Sequence, residues 1–232
     1  MQIIPAKTPD FVKIVFPNFI WNINTKNKEL YLTFDDGPTP EITDWVLSTL
    51  NDYNAKATFF CIGNNIEKHP DIFQSIISEG HTIGNHTYNH LKGWKHNVKD
   101  YIDDVEKTQH LINSKFKEYH KHSQDAYENN SGLTLFRPPY GKIKPKQNKQ
   151  LQELGYKVVL WDVLSYDWDN SVTEEACLKN VTSAAVKGSI IVFHDSVKAS
   201  QHLKHVLPKI LEYYDKRGFK FKSINNTCLH LF

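Results

Sequence analysis

Along the chain, short runs of β-branched and aromatic residues bounded by Gly, Pro, Asn or Asp alternate with longer stretches whose apolar residues recur at helical spacing. That is the pattern of repeated strand–helix units. Seven runs read as strands: Leu30 to Phe34, Ala57 to Ile62, Thr82 to Gly84, Leu133 to Phe136, Lys157 to Trp161, Ser189 to Phe193 and Phe219 to Ile224. From Val98 through Ile102, Val105, Ile112 and Phe116 the apolar spacings are three, four and seven, which predicts an amphipathic helix. Weaker helical patterns cover Pro40 to Leu50, Ile66 to Ser78, Gln147 to Leu154, Thr173 to Val186 and Leu203 to Lys216. The polar stretch Tyr119 to Gly132 reads as a surface loop or insertion, with His120 and His122 exposed in it. Strand-then-helix units in this number predict an α/β protein with a parallel sheet, and we read it as a barrel rather than an open, doubly wound sheet.

Composition narrows the classes. At 232 residues the chain is expected to form one domain, and its net charge of +2 gives no field for nucleic acid or an anionic membrane as the main partner. Apolar stretches such as Ile190 to Phe193 and Val158 to Trp161 are far too short to span a bilayer. Lys7, Asp10 and Lys13 interrupt the first twenty residues, so no leader is expected, and an intracellular location is favoured over an exported one whose leader was removed. Cys61, Cys177 and Cys228 lack CxxC spacing and are an odd number, so they read as buried free thiols.

In a parallel barrel the chemistry sits at the carboxyl ends of the strands. The polar residues after the predicted strands are Asp35 and Asp36, His86 and His90, Arg137, Asp162 and Asp167, then His194 and Asp195. Adjacent carboxylates such as Asp35 and Asp36 need a cation or arginine close by. His86 and His90 are four positions apart, a spacing that over one helical turn aims both imidazoles at one point and suits a divalent transition metal. Asp36 completes a set of two histidines and one carboxylate with an open position. Asp35 can then accept a proton from water and His194 can give one to a leaving group, with Arg137 keeping Asp35 ionised.

From about Leu30 to the C-terminus the sequence resembles the polysaccharide deacetylases of carbohydrate esterase family four, the NodB-homology domain. Thr33-Phe34-Asp35-Asp36-Gly37-Pro38 is similar to the family's first motif, which implies Asp35 as general base and Asp36 as metal ligand. His86-Thr87-Tyr88-Asn89-His90 is similar to the second and implies the other two ligands. Arg137-Pro138-Pro139-Tyr140-Gly141 is similar to the third, in which the arginine positions the base and the tyrosine N–H helps to hold the oxyanion. In the fourth, Leu164 stands where many members carry the Asp that orients the catalytic histidine, so either Asp162 or Asp167 is expected to replace it, or His194 works with backbone orientation alone. Val192-Phe193-His194 is similar to the fifth.

The resemblance implies a distorted (β/α) barrel of about seven units, one divalent metal, Zn²⁺ or a similar ion such as Co²⁺, and removal of acetyl groups from N-acetylated sugars of an oligo- or polysaccharide such as chitooligosaccharide or peptidoglycan. Deacylation of another small amide or an O-acetyl ester, or a silent glycan-binding protein, are the alternatives. Residues 1–29 are expected to be an N-terminal extension packed on a domain of residues 30–232; its apolar, aromatic part Phe11 to Trp21 lies on the barrel exterior or covers its bottom. Trp94, Tyr140, Trp161 and Trp168 near the motifs are packing residues or sugar platforms, with Trp168 the first candidate for a platform and Pro138 a supporting residue. Lys142, Lys144, Lys146 and Lys149 read as a solvated helix face, with an anionic glycan as the alternative partner. Oligomeric state is left open.

Overall fold

The computed structural model describes residues 5–120 and 133–229. Its strands are β1 (Glu29–Asp35), β2 (Thr58–Cys61), β3 (Thr82–Asn85), β4 (Leu135–Phe136), β5 (Lys157–Val158), β6 (Val163–Leu164), β7 (Ile190–His194) and β8 (Lys220–Phe221). They pair in parallel in the order β5-β4-β3-β2-β1-β7-β6, with β8 beside the amino end of β1. Each predicted run contains a strand. The run at 157–161 ends early, because pairing stops at Val158 and resumes in β6, a strand of two residues that is too short to carry a period of its own.

The helices fill the connections, beginning with α1 (Asp10–Val15), α2 (Ile42–Asp52), α3 (Gly63–Lys68) and α4 (Pro70–Ser78). The predicted helix over 66–78 is two, Gly63–Lys68 and Pro70–Ser78, because Pro70 has no N–H to continue the first and takes the first position of the second. The long helix α5 spans Val98–His120, its start fixed by Asn97 Oδ1 accepting the Asp100 N–H at 2.9 Å. It contains Tyr119 and His120, which were expected in a loop; the rest of that loop, including His122, lies outside the described residues. Among the described residues no helix is long and apolar enough to cross a membrane. All three cysteines are buried and free.

Alternation along the strands sorts side chains between two layers. Leu30, Leu32 and Phe34 of β1 face the helices, where Phe34 stacks on Phe59 and Phe193 at 5.1 and 5.8 Å. Tyr31 faces the barrel interior with Phe60, Ile190 and Ile224. Thr33 and Asp35 share the side of Tyr31, so the strand period delivers polar groups inward as β1 approaches its carboxyl end.

The sheet is open between β5 and β6, and the segment before β1 lies in that opening. Ile20 donates to Val158 O at 2.9 Å and accepts from Leu160 N at 2.8 Å on one side; on the other, Thr8 donates to Asp162 O and Ala6 accepts from Leu164 N, both at 2.8 Å. Both exposed edges therefore find backbone partners. A short helix over Asp10–Val15 in this segment buries none of its residues.

Candidate active site

Strand register makes Asp35 and His194 direct neighbours at the ends of β1 and β7, both on the interior face. Behind Asp35, Arg137 is fully buried, its guanidinium 4.1 Å from the Phe60 ring centroid. Its Nη1 donates to Asp35 Oδ1 and Thr33 Oγ1, each at 2.7 Å, and its Nη2 donates to Leu160 O at 2.9 Å. Burial favours a neutral Asp35, but the charge of Arg137 above all, with that of His194, holds its carboxyl below the usual range. Asp35 is therefore an ionised carboxylate inside the barrel mouth.

After Asp35 the chain turns sharply, with Asp36 at φ 84°. Asn65 Nδ2 donates to Asp36 O at 2.7 Å, and the Gly37 N–H donates to Asp195 Oδ1 at 3.0 Å. Asp195 Oδ2 accepts the Thr43 hydroxyl at 2.6 Å. A Cβ on Gly37 would stand 1.9 Å from that carboxylate, so only glycine fits. Burial, opposed by the Thr43 and Gly37 hydrogen bonds, pushes Asp195 up to about 7. Asp195 was legible as a polar residue at a strand end; its hold on the Asp36 turn was not.

His86 and His90 meet as predicted but not over a helical turn. β3 stops at Asn85, and the residues that follow form a loop with Thr87 at φ 63° and His90 at φ 55°. Positive φ is costly for a β-branched residue such as Thr87 and persists only where neighbours over-determine it. Here the Thr87 N–H donates to Asn85 Oδ1 at 2.9 Å, its carbonyl accepts from Gly63 N at 2.9 Å, and its hydroxyl accepts from Leu91 N at 3.0 Å. Asp104 of α5 takes the N–H groups of Tyr88 and Asn89 at 2.6 and 3.1 Å. Sequence reasoning missed Asp104; its signal is a carboxylate on the face of α5 that carries the buried Tyr101 and Val105.

The loop brings His86 Nε2 and His90 Nε2 to 3.7 and 3.3 Å from Asp36 Oδ1. That oxygen is buried and has no hydrogen-bond partner among the described residues. His86 Nδ1 donates to Arg137 O at 2.8 Å, which turns the lone pair of Nε2 toward Asp36, and burial holds His86 down to about 4, so it is neutral. Two imidazole nitrogens and an orphaned carboxylate oxygen, all within 4.8 Å of one another, fit a divalent metal of the zinc type with a position left open. Glu174, Glu175 and His205 also cluster, but His205 is bonded to Glu174 at 2.8 Å through Nδ1 and to Lys209 through Nε2, which leaves no imidazole lone pair for a metal.

His194 is held by Asp167, whose Oδ1 lies 2.9 Å from Nδ1 and whose Oδ2 accepts the His194 N–H at 2.7 Å. Leu164 is not a site position: it lies within β6 beside Val192, and the chain reaches His194 three residues later, at Asp167. Of the two replacements expected for the missing Asp, Asp167 is the one that reaches His194. The expectation for Asp162 is corrected. It precedes β6, at the opposite end from His194, and pairs with Lys7 at 2.5 Å, Lys13 at 2.6 Å and Ser189 Oγ at 2.5 Å. Trp168 is half-buried, stacked on Tyr166 at 4.9 Å and edge-on to His194 at 4.7 Å. Pro138 is buried ahead of a tight turn, Pro139–Gly141, in which Tyr140 takes φ 61° and places its exposed ring 4.7 Å from that of His90.

Comparison with known proteins places the chain in a family and a fold. The sequence model described as "Polysaccharide deacetylase" matches residues 22–159. A peptidoglycan-N-acetylglucosamine deacetylase of Bacillus cereus is 35% identical over 199 residues, covering 84% of this chain and 66% of the relative, a little under two thirds of its length. A second from the same organism is 34% identical over 207 residues, covering 88% of this chain and 90% of the relative. The crystal structure of a peptidoglycan N-acetylglucosamine deacetylase in complex with 4-naphthalen-1-yl-N-oxidanyl-benzamide superposes with a TM-score of 0.79 at 32% identity, covering 94% of this chain and 95% of that one.

Proposed function

The chain belongs to the polysaccharide deacetylase family, and from that premise we propose that it is a metal-dependent hydrolase that removes acetyl groups from the N-acetylated sugars of a polysaccharide. The observation that carries this reading is the placing of Asp35, ionised by Arg137, beside His194, charged by Asp167, at the rim that also holds Asp36, His86 and His90. A base and an acid with pKa values driven apart by their surroundings are what amide hydrolysis requires.

In the mechanism, Asp35 accepts a proton from the attacking water while Arg137 keeps the carboxylate ionised and fixed. Asp36, His86 and His90 would hold the metal, which supplies carbonyl polarisation and a more acidic water. The Tyr140 N–H donates to the acetyl oxygen as negative charge develops there. Water's oxygen joins the carbonyl carbon, the carbon–nitrogen bond breaks, and His194 gives its proton to the departing sugar nitrogen, leaving acetate and an amine. Burial disfavours a charged His194, but Asp167 outweighs it and raises the imidazole to about 9, so the acid is loaded at neutral pH.

We take peptidoglycan as the substrate, on the strength of what the two Bacillus cereus relatives are named for. The test is acetate release from peptidoglycan fragments and chitooligosaccharides with added Zn²⁺ or Co²⁺ and a chelated control. Chelator-sensitive release is expected, larger with peptidoglycan fragments; absence of release from every member would overturn the reading.

A further inference from the structure

Tyr140 joins the candidate active site to a second group of side chains. Beyond its contact with His90, its ring centroid lies 5.9 Å from Lys92 Nζ. Lys142 Nζ lies 5.0 Å from the Trp94 ring centroid, and the two ammonium groups stand side by side. Both aromatic rings are 58% exposed, whereas both lysines are half-buried. Among the described residues neither lysine has a carboxylate at ion-pairing distance.

The backbone beneath this pair is fixed. Buried Gln147 donates Nε2 to Gly93 O at 2.9 Å and accepts the Lys144 N–H at 2.8 Å, while Lys144 Nζ donates to His96 O at 2.6 Å and Trp94 Nε1 to Ile143 O at 3.2 Å. Gly93 lets the two loops touch, since a Cβ there would stand 2.5 Å from Lys142 O. Like charges brought together without a counter-charge disfavour each other, and an anion between them reverses the sign of that interaction.

We propose that Lys92 and Lys142 bind a carboxylate carried by the glycan strand, on the sugar next to the one being deacetylated, with Trp94 packing against a sugar ring. This rests on the deacetylase reading and narrows it to acidic glycans such as muramic-acid-containing strands, in preference to neutral ones such as chitin. A lysine pair beside the rim supplies charge-assisted contacts that strengthen at low salt.

The test compares the metal-loaded parent, K92Q/K142Q and K92R/K142R on two substrates, neutral chitotetraose and a peptidoglycan tetrasaccharide with free lactyl carboxylates. The ratio of kcat/KM, acidic over neutral, is expected to fall about tenfold in the glutamine pair, through KM, and to recover in the arginine pair. The parent's ratio is expected to shrink as salt is raised. An unchanged ratio, or no recovery with arginine, overturns the proposal. If the parent releases acetate from neither sugar, the deacetylase reading is what fails. Titration calorimetry then decides the lysine site: tighter binding of the acidic tetrasaccharide that is lost in the glutamine pair upholds it, and equal binding of the two sugars overturns it.

Discussion

Asp167 grips His194 twice, through the imidazole Nδ1 at 2.9 Å and through the backbone N–H at 2.7 Å. One carboxylate thereby sets ring orientation, tautomer and charge. Asp167→Asn removes the charge and keeps the shape. The alkaline limb of the kcat profile, set by His194 at about 9, is expected to move down to ~6.5 or lower, with kcat reduced about 30-fold or more at pH 8. An unshifted limb in a pH–rate series would show that His194 is not the acid.

Asp35→Asn removes the base without touching the candidate metal ligands. Acetate release is expected to fall about 10³-fold, while Zn²⁺ affinity by calorimetry stays within a few-fold of the parent. Full activity in this variant contradicts the assignment of the base.

Chelation followed by gel filtration is expected to abolish acetate release, and stoichiometric Zn²⁺ or Co²⁺ to restore it. His86→Ala leaves Asp36 and His90 alone and is expected to weaken metal binding by more than 10²-fold, measured by competition with a chromogenic chelator. One equivalent bound as tightly by this variant as by the parent would place the metal elsewhere.

Gly37→Ala drives a methyl into the Asp195 carboxylate and displaces the turn that carries Asp36. Metal affinity is expected to drop about 10- to 100-fold. Asp195→Asn, which still accepts the Gly37 N–H, is expected to lose much less. Equal losses would mean that charge, not the turn, is what Asp195 contributes.

Asp162→Asn tests the other end of the barrel. Its carboxyl is buried, which raises its pKa, but hydrogen bonds from Lys13, Lys7 and Ser189 bring it below the usual value. A depressed folded-state pKa stabilises above the unfolded-state value, and the contribution is lost as pH falls through the folded value. The variant is expected to lose about 2 kcal/mol of stability at pH 7 by urea unfolding, and progressively less as pH falls below the unfolded-state carboxylate value toward the lowered folded-state one. The pH dependence of kcat should not change, because Asp162 lies far along the strand from His194.

Much of this was legible because parallel strands write their layers into the chain. Alternation alone places Tyr31, Thr33 and Asp35 on one side of β1, and the polar residues after each strand gather on one rim. The helical-turn reading of His86 and His90 failed for a physical reason: two positive φ residues held by Asn85, Gly63 and Asp104 cannot be inferred from spacing. Asp162 and Asp167 could not be told apart as partners of His194 because β6 is two residues long, so nothing in the sequence marks where pairing resumes and which end each residue faces. Asp195 and Gln147 act through backbone groups remote in sequence, and composition says nothing about such partners.

β5 and β6, the two edges of the open sheet, lie within a single stretch of eight residues, 157–164, and the segment from Ala6 to Ile20 caps both of them. A chain trimmed to begin at β1 would keep every candidate catalytic residue, yet it would turn two bare ladders of N–H and C=O groups outward. Those ladders are templates for another molecule's strand. The penalty for trimming would fall on solubility and on exchange of segments between copies, before it fell on chemistry.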